Sequence, residues 1–289
     1  MAKINSLRTS ALPFLLAPCT IIISLLVVAP LIYIGIISFY KFSPTDVWIN
    51  IFTLENYRRF FFDLFYLKII WVTVKVGLIT TLICVIFGYP LAYFLARSRS
   101  KHIELFIFLL ISPLMISTVI RIFGWIVLLG KQGVINKFLL LLPMVNEPVG
   151  ILGTLPAVII GISSILLPYM VLPLMSAIES IPKSMEEAAS NLGANKSQVF
   201  IKILLPLSIP GLISGSILVY LISISALIVP ALMGLPKVRM LGNQVYDEVL
   251  VSFNWPFAGS ISIIMIFFTF TILGLYLKWF RKYGSIERL

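Results

Sequence analysis

Six long apolar stretches set the strongest limit on how this chain can fold. Each has enough residues to cross the hydrocarbon core of a bilayer as a helix, which takes about 20. Polar segments separate the stretches, so each one can end at a membrane surface. The predicted spans are roughly 12–39, 67–95, 105–129, 153–178, 204–229 and 258–279. The first is too long for the apolar part of a signal peptide, and we predict that it remains as an anchor.

The composition agrees with a protein that lies mostly in the membrane. Hydrophobic residues make up 60% of the 289-residue chain and charged residues 11%, and the mean hydropathy is +1.08. These values exclude an ordinary soluble globular domain. Cys19 and Cys84 both fall inside apolar stretches, which indicates buried thiols rather than a disulfide. With no repeat or linker between the spans, we predict an all-α integral membrane protein with one transmembrane domain over residues 1–289.

The distribution of Lys and Arg predicts the side of the membrane on which each loop lies. The net charge is +11, and the basic residues concentrate beside the span ends on the side of the two termini. The longer loops of the opposite side carry fewer of them. The positive-inside rule therefore places both termini and the loop 180–206 in the cytoplasm. Basic residues arranged in this way indicate orientation in a membrane rather than binding of nucleic acid.

This cytoplasmic loop is predicted to form two short helices. Its apolar residues fall at the spacing of one helix face: Met185, Ala188, Ala189 and Leu192. Ser184 with Glu187 has the spacing of a capping box, and Gly193 is a natural helix stop. Asn195 with Gln198 repeats the capping spacing for the second helix. The first helix would present its apolar face to water, so we expect that face to have a partner.

The same loop carries a longer pattern of fixed spacing. Its members are Glu187, Ala188, Ala189, Gly193, Ile203, Leu205 and Pro206. The pattern resembles the EAA signature (EAA, x3, G, x9, I-x-L-P) of the membrane subunits of type I ABC importers. The resemblance implies a type I importer permease of MetI-like architecture with six transmembrane helices and a cytoplasmic coupling helix that docks on the ATPase. The resemblance implies that six residues couple the permease to the ATPase: Met185, Glu187, Ala188, Ala189, Leu192 and Gly193.

The sequence contains no recognisable catalytic motif. It has no G-x-x-x-x-G-K-[ST] phosphate-binding loop, no H-E-x-x-H and no G-x-S-x-G. We therefore expect a subunit that is not an enzyme, holds no cofactor or metal, and leaves ATP and Mg²⁺ to a partner. By the resemblance, its partners are an ABC ATPase dimer, a second permease that is homologous or identical, and an extracytoplasmic solute-binding protein. The implied location is the bacterial cytoplasmic (inner) membrane, with multiple crossings.

A polar stripe in the third span is a candidate for the substrate path. Ser117, Arg121 and Trp125 follow at i, i+4 and i+8, so they share one face of a helix. Arg121 would lie near the outer mouth. A charge inside a membrane is costly and usually faces protein or water. The alternative is that Arg121 snorkels to the surface or braces a loop.

Three further residues complete the candidate path. Tyr220 in the fifth span offers a hydroxyl and an aromatic face, although packing against a neighbouring helix would also explain it. Asp247 and Glu248 lie in the outer loop before the last span and are the nearest predicted ion-pair partners for Arg121. The hydroxyls and aromatic faces of Ser117, Trp125 and Tyr220 could receive an ammonium group by loose contacts.

Most of the chain also resembles the permeases of spermidine/putrescine-type importers. The resembling segments are FTLENY (52–57), GYPLAYFLA (88–96), IRIFGWIVLLG (120–130), LLPYMVLPL (166–174), ALMG (231–234), LGN (241–243) and NWPFA (254–258). The resemblance implies ATP-driven import of a small hydrophilic solute such as a polyamine, delivered by the external binding protein. Ala231 departs from the pattern, since several polyamine permeases carry an acidic residue there, and no predicted span contains Asp or Glu.

Two other functions remain open at this point. The chain could be a passive channel or membrane scaffold of the same topology, or an importer of the same class with a substrate other than a polyamine. The EAA pattern favours the importer over the passive channel, because a passive pore needs no docking helix for a motor. Neighbouring genes for an ATPase and for a secreted binding protein would separate these alternatives.

Overall fold

The structure is almost entirely helical. It is a computed structural model that describes the backbone of residues 2–141, 146–234 and 236–283, and the side chains of these residues except 2–16, 19 and 279–283. The elements in chain order are α1 (Ala2–Ile37), β1 (Tyr40–Ser43), β2 (Val47–Phe52), α2 (Glu55–Phe62), α3 (Leu64–Arg97), α4 (Ile103–Met115), α5 (Thr118–Leu129), α6 (Val134–Leu139), α7 (Leu155–Glu179), α8 (Lys183–Asn191), α9 (Lys196–Val199), α10 (Leu205–Ile224), α11 (Leu241–Leu250) and α12 (Trp255–Tyr283). Two π-helical turns, Phe200–Leu204 and Pro230–Gly234, precede and follow α10.

The described residues include six segments long and apolar enough to cross a membrane, as predicted. They are Thr20–Ile37, Leu64–Arg97, Thr118–Leu139, Leu155–Glu179, Lys196–Ile224 and Trp255–Lys278. The structure thus agrees with the predicted number of spans and with a mainly helical membrane fold.

The segment predicted as the third span, 105–129, consists of two helices. α4 ends at Met115, and the next residue, Ile116, has an extended backbone. Pro113 in the last turn of α4 explains the break, because proline lacks an N–H and its ring crowds the carbonyl four residues earlier. Ser117 then lies at the N-cap of α5. The third spanning segment, Thr118–Leu139, comprises α5 and α6, and α4 is a separate, shorter apolar helix.

The chain divides into two compact units. One comprises the residues up to Asp63 together with Val245–Phe267, and the other comprises Leu64–Gln244 and the residues from Phe268 onward. The prediction of a single permease domain over residues 1–289 stays a prediction.

In the first unit, an antiparallel hairpin of β1 and β2 follows α1. The amide of Asn56, in α2, donates to the carbonyls of Ser38 and Tyr40 at 2.9 and 3.0 Å. The hydroxyls of Ser38 and Tyr57 lie 2.7 Å apart. These bonds fix α2 against the end of α1 and the start of the hairpin. The hairpin was not predicted from the sequence.

In the second unit, α3, α7 and α10 form the core. Small residues let α10 approach α7 closely: a Cβ placed on Gly211 would lie 2.8 Å from the Pro173 carbonyl oxygen, and one on Gly215 would lie 2.9 Å from the Met170 sulfur. No side chain larger than that of glycine fits at this spacing. Gly211 and Gly215 thus serve helix packing.

Candidate coupling site

The helix α8 is the first of the two short helices predicted in the loop 180–206. It starts at Lys183, with Pro182 at the N-cap, and no side chain caps it. The predicted capping box of Ser184 and Glu187 is therefore wrong. The helix begins one residue before Ser184, so the Ser184 hydroxyl lies inside the first turn, where it cannot act as the N-cap acceptor.

The end of α8 is a Schellman motif built on Gly193. The Gly193 N–H donates to the Ser190 carbonyl at 3.0 Å, and the Ala194 N–H donates to the Ala189 carbonyl at 3.0 Å. Gly193 has φ +88°, a left-handed conformation that side chains disfavour. The predicted helix stop at Gly193 is confirmed, and it sets the angle at which the chain enters α9.

The helix α9 follows the corner and leads into a spanning helix. The Asn195 side chain accepts from the Gln198 N–H at 2.8 Å, and the Gln198 side chain accepts from the Asn195 N–H at 2.9 Å. This is the capping box that the sequence predicted here. Val199 is buried with Ile181 and Leu204, which fixes α9 to the start of the next span.

Most of the predicted apolar face of α8 has no partner among the residues that the structure describes. Met185 is 43% exposed and Leu192 is 89% exposed. Ala188 is also exposed, while Ala189 is half-buried and packs on the cluster of Val199. A groove of about 350 Å³ runs between α8 and α9. Ala189, at one edge of this face, packs against the rest of the permease. The remaining residues of the face are accessible to another molecule.

The other two predicted coupling residues are also accessible. Glu187 is exposed on α8, and Gly193 is exposed at the corner. A Cβ placed on Gly193 would meet no atom within 4 Å. There is room for a larger side chain at this corner, but the positive φ of Gly193 is unfavourable for residues other than glycine.

Sequence reasoning missed the ion pair that ties α8 to a spanning helix. Arg97 Nε lies 2.7 Å from Glu186 Oε1, and the two side chains are 11% and 17% exposed. Arg97 Nη2 donates to the Ile181 carbonyl at 2.8 Å, and the Tyr93 hydroxyl approaches Glu186 Oε2 at 3.5 Å. In the sequence, Arg97 is one of the basic residues beside the span ends, where its charge predicts topology. No signal in one sequence joins two residues that are 89 positions apart.

The residues of the predicted polar stripe have different environments. Ser117 is exposed at the N-cap of α5. The Trp125 indole N–H donates to the Ser164 hydroxyl of α7 at 2.8 Å, so this ring is fixed against its own bundle. Arg121 Nε and Nη1 are buried, and neither has a hydrogen-bond partner among the described residues. Buried donors without acceptors are unfavourable, and a role of Arg121 in the substrate path stays a prediction.

Tyr220 lies in the core between α10 and α3. It is 6% exposed, and a Cβ on Gly77 would lie 3.0 Å from its ring. This position agrees with the helix-packing alternative, and a role in the path stays a prediction.

Asp247 and Glu248 lie on α11, and their backbone carbonyls close the turn that follows it. The Asp247 carbonyl accepts from Val251 and Ser252, each at 2.9 Å, and the Glu248 carbonyl accepts from Asn254 at 2.7 Å. The Glu248 side chain is 5% exposed. Their predicted ion pairing with Arg121 stays a prediction.

The helix pair belongs to a region that matches a known protein family. Residues 88–283 match the family model described as "Binding-protein-dependent transport system inner membrane component". The chain is 38% identical over 237 residues to the spermidine/putrescine transport system permease protein PotB of Haemophilus influenzae, covering 82% of each chain. It is 43% identical over 213 residues to PotB of Escherichia coli, covering 74% of this chain and 77% of the relative. It is also 30% identical over 290 residues to the inner membrane ABC transporter permease protein YdcU of E. coli, covering 92% and 90%.

Solved structures share the fold. One chain of a bacterial alginate ABC transporter, crystallised with an alginate pentasaccharide-bound periplasmic protein, aligns with a TM-score of 0.76 at 18% identity, over 97% of this chain and 98% of that one. A chain of the MetNI methionine ABC transporter in an inward-facing conformation aligns with a TM-score of 0.56 at 18% identity, over 75% and 95%. These likenesses confirm the predicted type I ABC importer permease architecture.

Family membership decides several of the predictions. The predicted importer permease, the absence of catalysis by this subunit and the absence of a cofactor of its own all follow from the family. The multi-pass location in the inner membrane is likewise confirmed. The chain therefore belongs to the family of inner membrane components of binding-protein-dependent transport systems and is the permease subunit of an ABC importer.

Proposed function

We propose that this permease imports polyamines such as spermidine and putrescine. The observation that carries the proposal is the 38–43% identity to spermidine/putrescine permeases over about three quarters or more of the chain. The relative YdcU, whose name gives no substrate, is less similar at 30% identity. In this proposal the binding protein selects the substrate, and the permease offers a path with only loose contacts.

The proposed assembly contains an ABC ATPase dimer, a second permease that is homologous or identical, and an extracytoplasmic binding protein. The fold shared with an alginate transporter crystallised with its periplasmic protein supports such an assembly. ATP and Mg²⁺ act in the ATPase subunits. We place both termini and α8 in the cytoplasm, because the positive-inside rule favours that orientation.

In this assembly α8 docks on the ATPase. Met185, Ala188 and Leu192 form the open part of its apolar face. Glu187 and Gly193 lie at its exposed surface, and Ala189 anchors the opposite edge. Apolar side chains exposed on a short helix outside the membrane spans are typical of a protein interface.

One observation favours a different substrate for the same importer. Arg121 places two buried, unpartnered guanidinium nitrogens in α5, and a fixed cation near the path would repel a polycation unless an acidic group neutralises it. An anionic solute would pair with Arg121 directly. The test must therefore separate a cation from an anion.

The test is uptake of labelled spermidine and putrescine by cells that lack their own polyamine importers and carry the complete transporter. The proposal predicts saturable uptake of a polyamine that unlabelled polyamine competes away. Arg121→Gln should preserve or raise this uptake, because it removes a repelling charge. Asp247→Asn with Glu248→Gln should lower it, because Arg121 would then lose its predicted partner.

One uptake result would contradict the polyamine proposal. If neither polyamine enters while an anionic or neutral solute does, and Arg121→Gln abolishes that uptake, the polyamine proposal fails. Cells that carry the permease without its ATPase provide the control, because they should take up nothing.

A further inference from the structure

We propose that the Arg97–Glu186 ion pair is the link through which movement of α8 displaces α3. The inference rests on the proposed docking of α8 on an ATPase, and it assigns positioning roles to two residues that the EAA signature does not contain. Arg97 is the last residue of α3, and Glu186 lies in the first turn of α8. The pair thus joins the end of a spanning helix to the start of the docking helix.

The geometry makes this link stiff. Arg97 uses two arms of its planar guanidinium: Nε binds Glu186 at 2.7 Å, and Nη2 binds the Ile181 carbonyl at 2.8 Å. The first bond holds α8 and the second holds the backbone just before it. Tyr93, one turn earlier on α3, approaches the other Glu186 carboxylate oxygen at 3.5 Å. Two separate anchor points on one rigid fork fix orientation as well as distance.

The low exposure of the pair distinguishes it from ordinary surface ion pairs. Exposed pairs are screened by water and salt and hold two side chains together only weakly. Here the side chains of Arg97 and Glu186 are 11% and 17% exposed. Removing one partner would leave the other charge largely buried without its counter-ion, which is unfavourable. Glu186 is also favoured by its position in the first turn of a helix.

The remaining attachments of α8 are apolar contacts, which makes the ion pair its directional link to α3. No residue of α8 is fully buried. The C-terminal part of the helix is held through Ala189 on the cluster of Val199 and Leu204, which belongs to the entry into α10. Among the residues that the structure describes, Arg97–Glu186 is the ion pair that connects α8 with α3. Without it, α8 and α3 share only apolar packing, since Tyr93 of α3 and Ala189 of α8 contact the same cluster. Such packing lacks directional bonds, so we expect it to transmit a movement of α8 to α3 less completely than the ion pair does.

The continuous helix α3 can carry such a movement into the core of its unit. It runs without interruption from Leu64 to Arg97. Near the same end, the buried hydroxyls of Tyr89 and Ser208 lie 2.7 Å apart and join α3 to α10. A displacement of α8 is thus delivered to two helices that pack against each other.

The experiment uses the purified complete transporter in proteoliposomes, with the variants Arg97→Gln and Glu186→Gln. Arg99→Gln and Glu179→Gln are matched controls, because they make the same chemical changes at exposed residues nearby. Three quantities are measured: ATPase retained on the purified permease, basal ATP hydrolysis, and hydrolysis stimulated by the substrate-loaded binding protein. The ratio of stimulated to basal hydrolysis is counted per assembled complex, so a lower yield of folded protein does not change it.

We expect both variants to retain the ATPase and basal hydrolysis while the stimulation ratio falls by about tenfold. The double variant should resemble either single variant, because each removes the same link. The exchange Arg97→Glu with Glu186→Arg should recover part of the stimulation. Arg99→Gln and Glu179→Gln should behave like the wild type.

Three outcomes would overturn the inference. If both variants keep wild-type stimulation while Gly193→Val loses it, α8 couples without the ion pair. If Arg97→Gln loses the ATPase during purification, the pair serves docking and not the transmission of movement. If neither the ion-pair variants nor Gly193→Val alters stimulation, the docking role of α8 fails as well.

Discussion

The hydroxyl groups of Tyr89 and Ser208 lie 2.7 Å apart, and both side chains are buried. Tyr89 belongs to α3 and Ser208 to the first turn of α10, so this bond joins two spanning helices beside the coupling site. The Tyr89 ring also packs edge-on against Phe200, with ring centroids 5.1 Å apart. The apolar contact should survive loss of the hydroxyl, which makes the hydrogen bond testable by itself.

Tyr89→Phe is expected to lower the free energy of unfolding by about 1 kcal/mol, because one buried hydrogen bond is lost while the ring stays in place. The midpoint of thermal denaturation in detergent checks this. Ser208→Ala should cost a similar amount, and the double variant should cost less than the two changes added together. Tyr169→Phe is the control, because Tyr169 is 37% exposed. Full additivity of the two changes would contradict the assigned bond.

Leu192→Asp tests the open face of α8. Leu192 is 89% exposed, so the substitution should leave the stability of the isolated permease unchanged. If α8 docks on the ATPase, a carboxylate there should weaken retention of the ATPase by at least about tenfold, as for a residue central to an interface. Leu192→Met should retain it. ATPase copurification with tagged permease measures the effect, and wild-type retention by Leu192→Asp would remove this face from the interface.

Gly193 tests the corner between the two short helices. Its φ of +88° opposes any β-branched residue, although space around it is free. Gly193→Val should therefore preserve insertion into the membrane but lose most transport-linked ATPase stimulation. Gly193→Asn should retain much more, because asparagine tolerates this conformation. Gly150→Val is the control, since Gly150 also has open space and no positive φ. Equal activity of the Val and wild-type forms at position 193 would contradict the role of the corner.

The orientation in the membrane is tested with single cysteines at Ser184 and Lys237, both exposed. The background variant has Cys19 and Cys84 replaced. A membrane-impermeant thiol reagent added to intact cells should label position 237 but not position 184, which should react only after the membrane is opened. Labelling of both positions from outside would show that the predicted topology is wrong.

The sequence predicted those parts of the fold and of the site that depend on local patterns. Long apolar runs indicate the spans because each helix must satisfy its backbone inside lipid. The corner at Gly193 and the capping box of Asn195 and Gln198 involve residues only a few positions apart, so their spacing alone determines them. The exposed apolar face of α8 was visible for the same reason.

Features that depend on contacts between residues far apart in the sequence could not be predicted from local patterns. The ion pair of Arg97 and Glu186 and the burial of Tyr220 against Gly77 arise only when separate helices pack. The break after α4 was missed because residues 105–129 are mostly apolar, and Pro113 inside a span is compatible with either a kink or an end. The hairpin of β1 and β2 could not be recognised from its turn, because hairpin turns that need a positive φ usually contain glycine, and this turn contains none. Here Val47 adopts the positive φ.

Coupled polyamine import is tested most directly by following labelled spermidine in proteoliposomes that contain the complete transporter. ATP and Mg²⁺ are supplied on the side of the ATPase, and loaded binding protein on the other side. A coupled importer should accumulate spermidine above its concentration on the binding-protein side, only with hydrolysable ATP, and Gly193→Val should lose this accumulation. Equilibration of spermidine without any need for ATP would contradict a coupled importer. ATP-dependent accumulation of another solute, with spermidine excluded, would contradict the polyamine substrate.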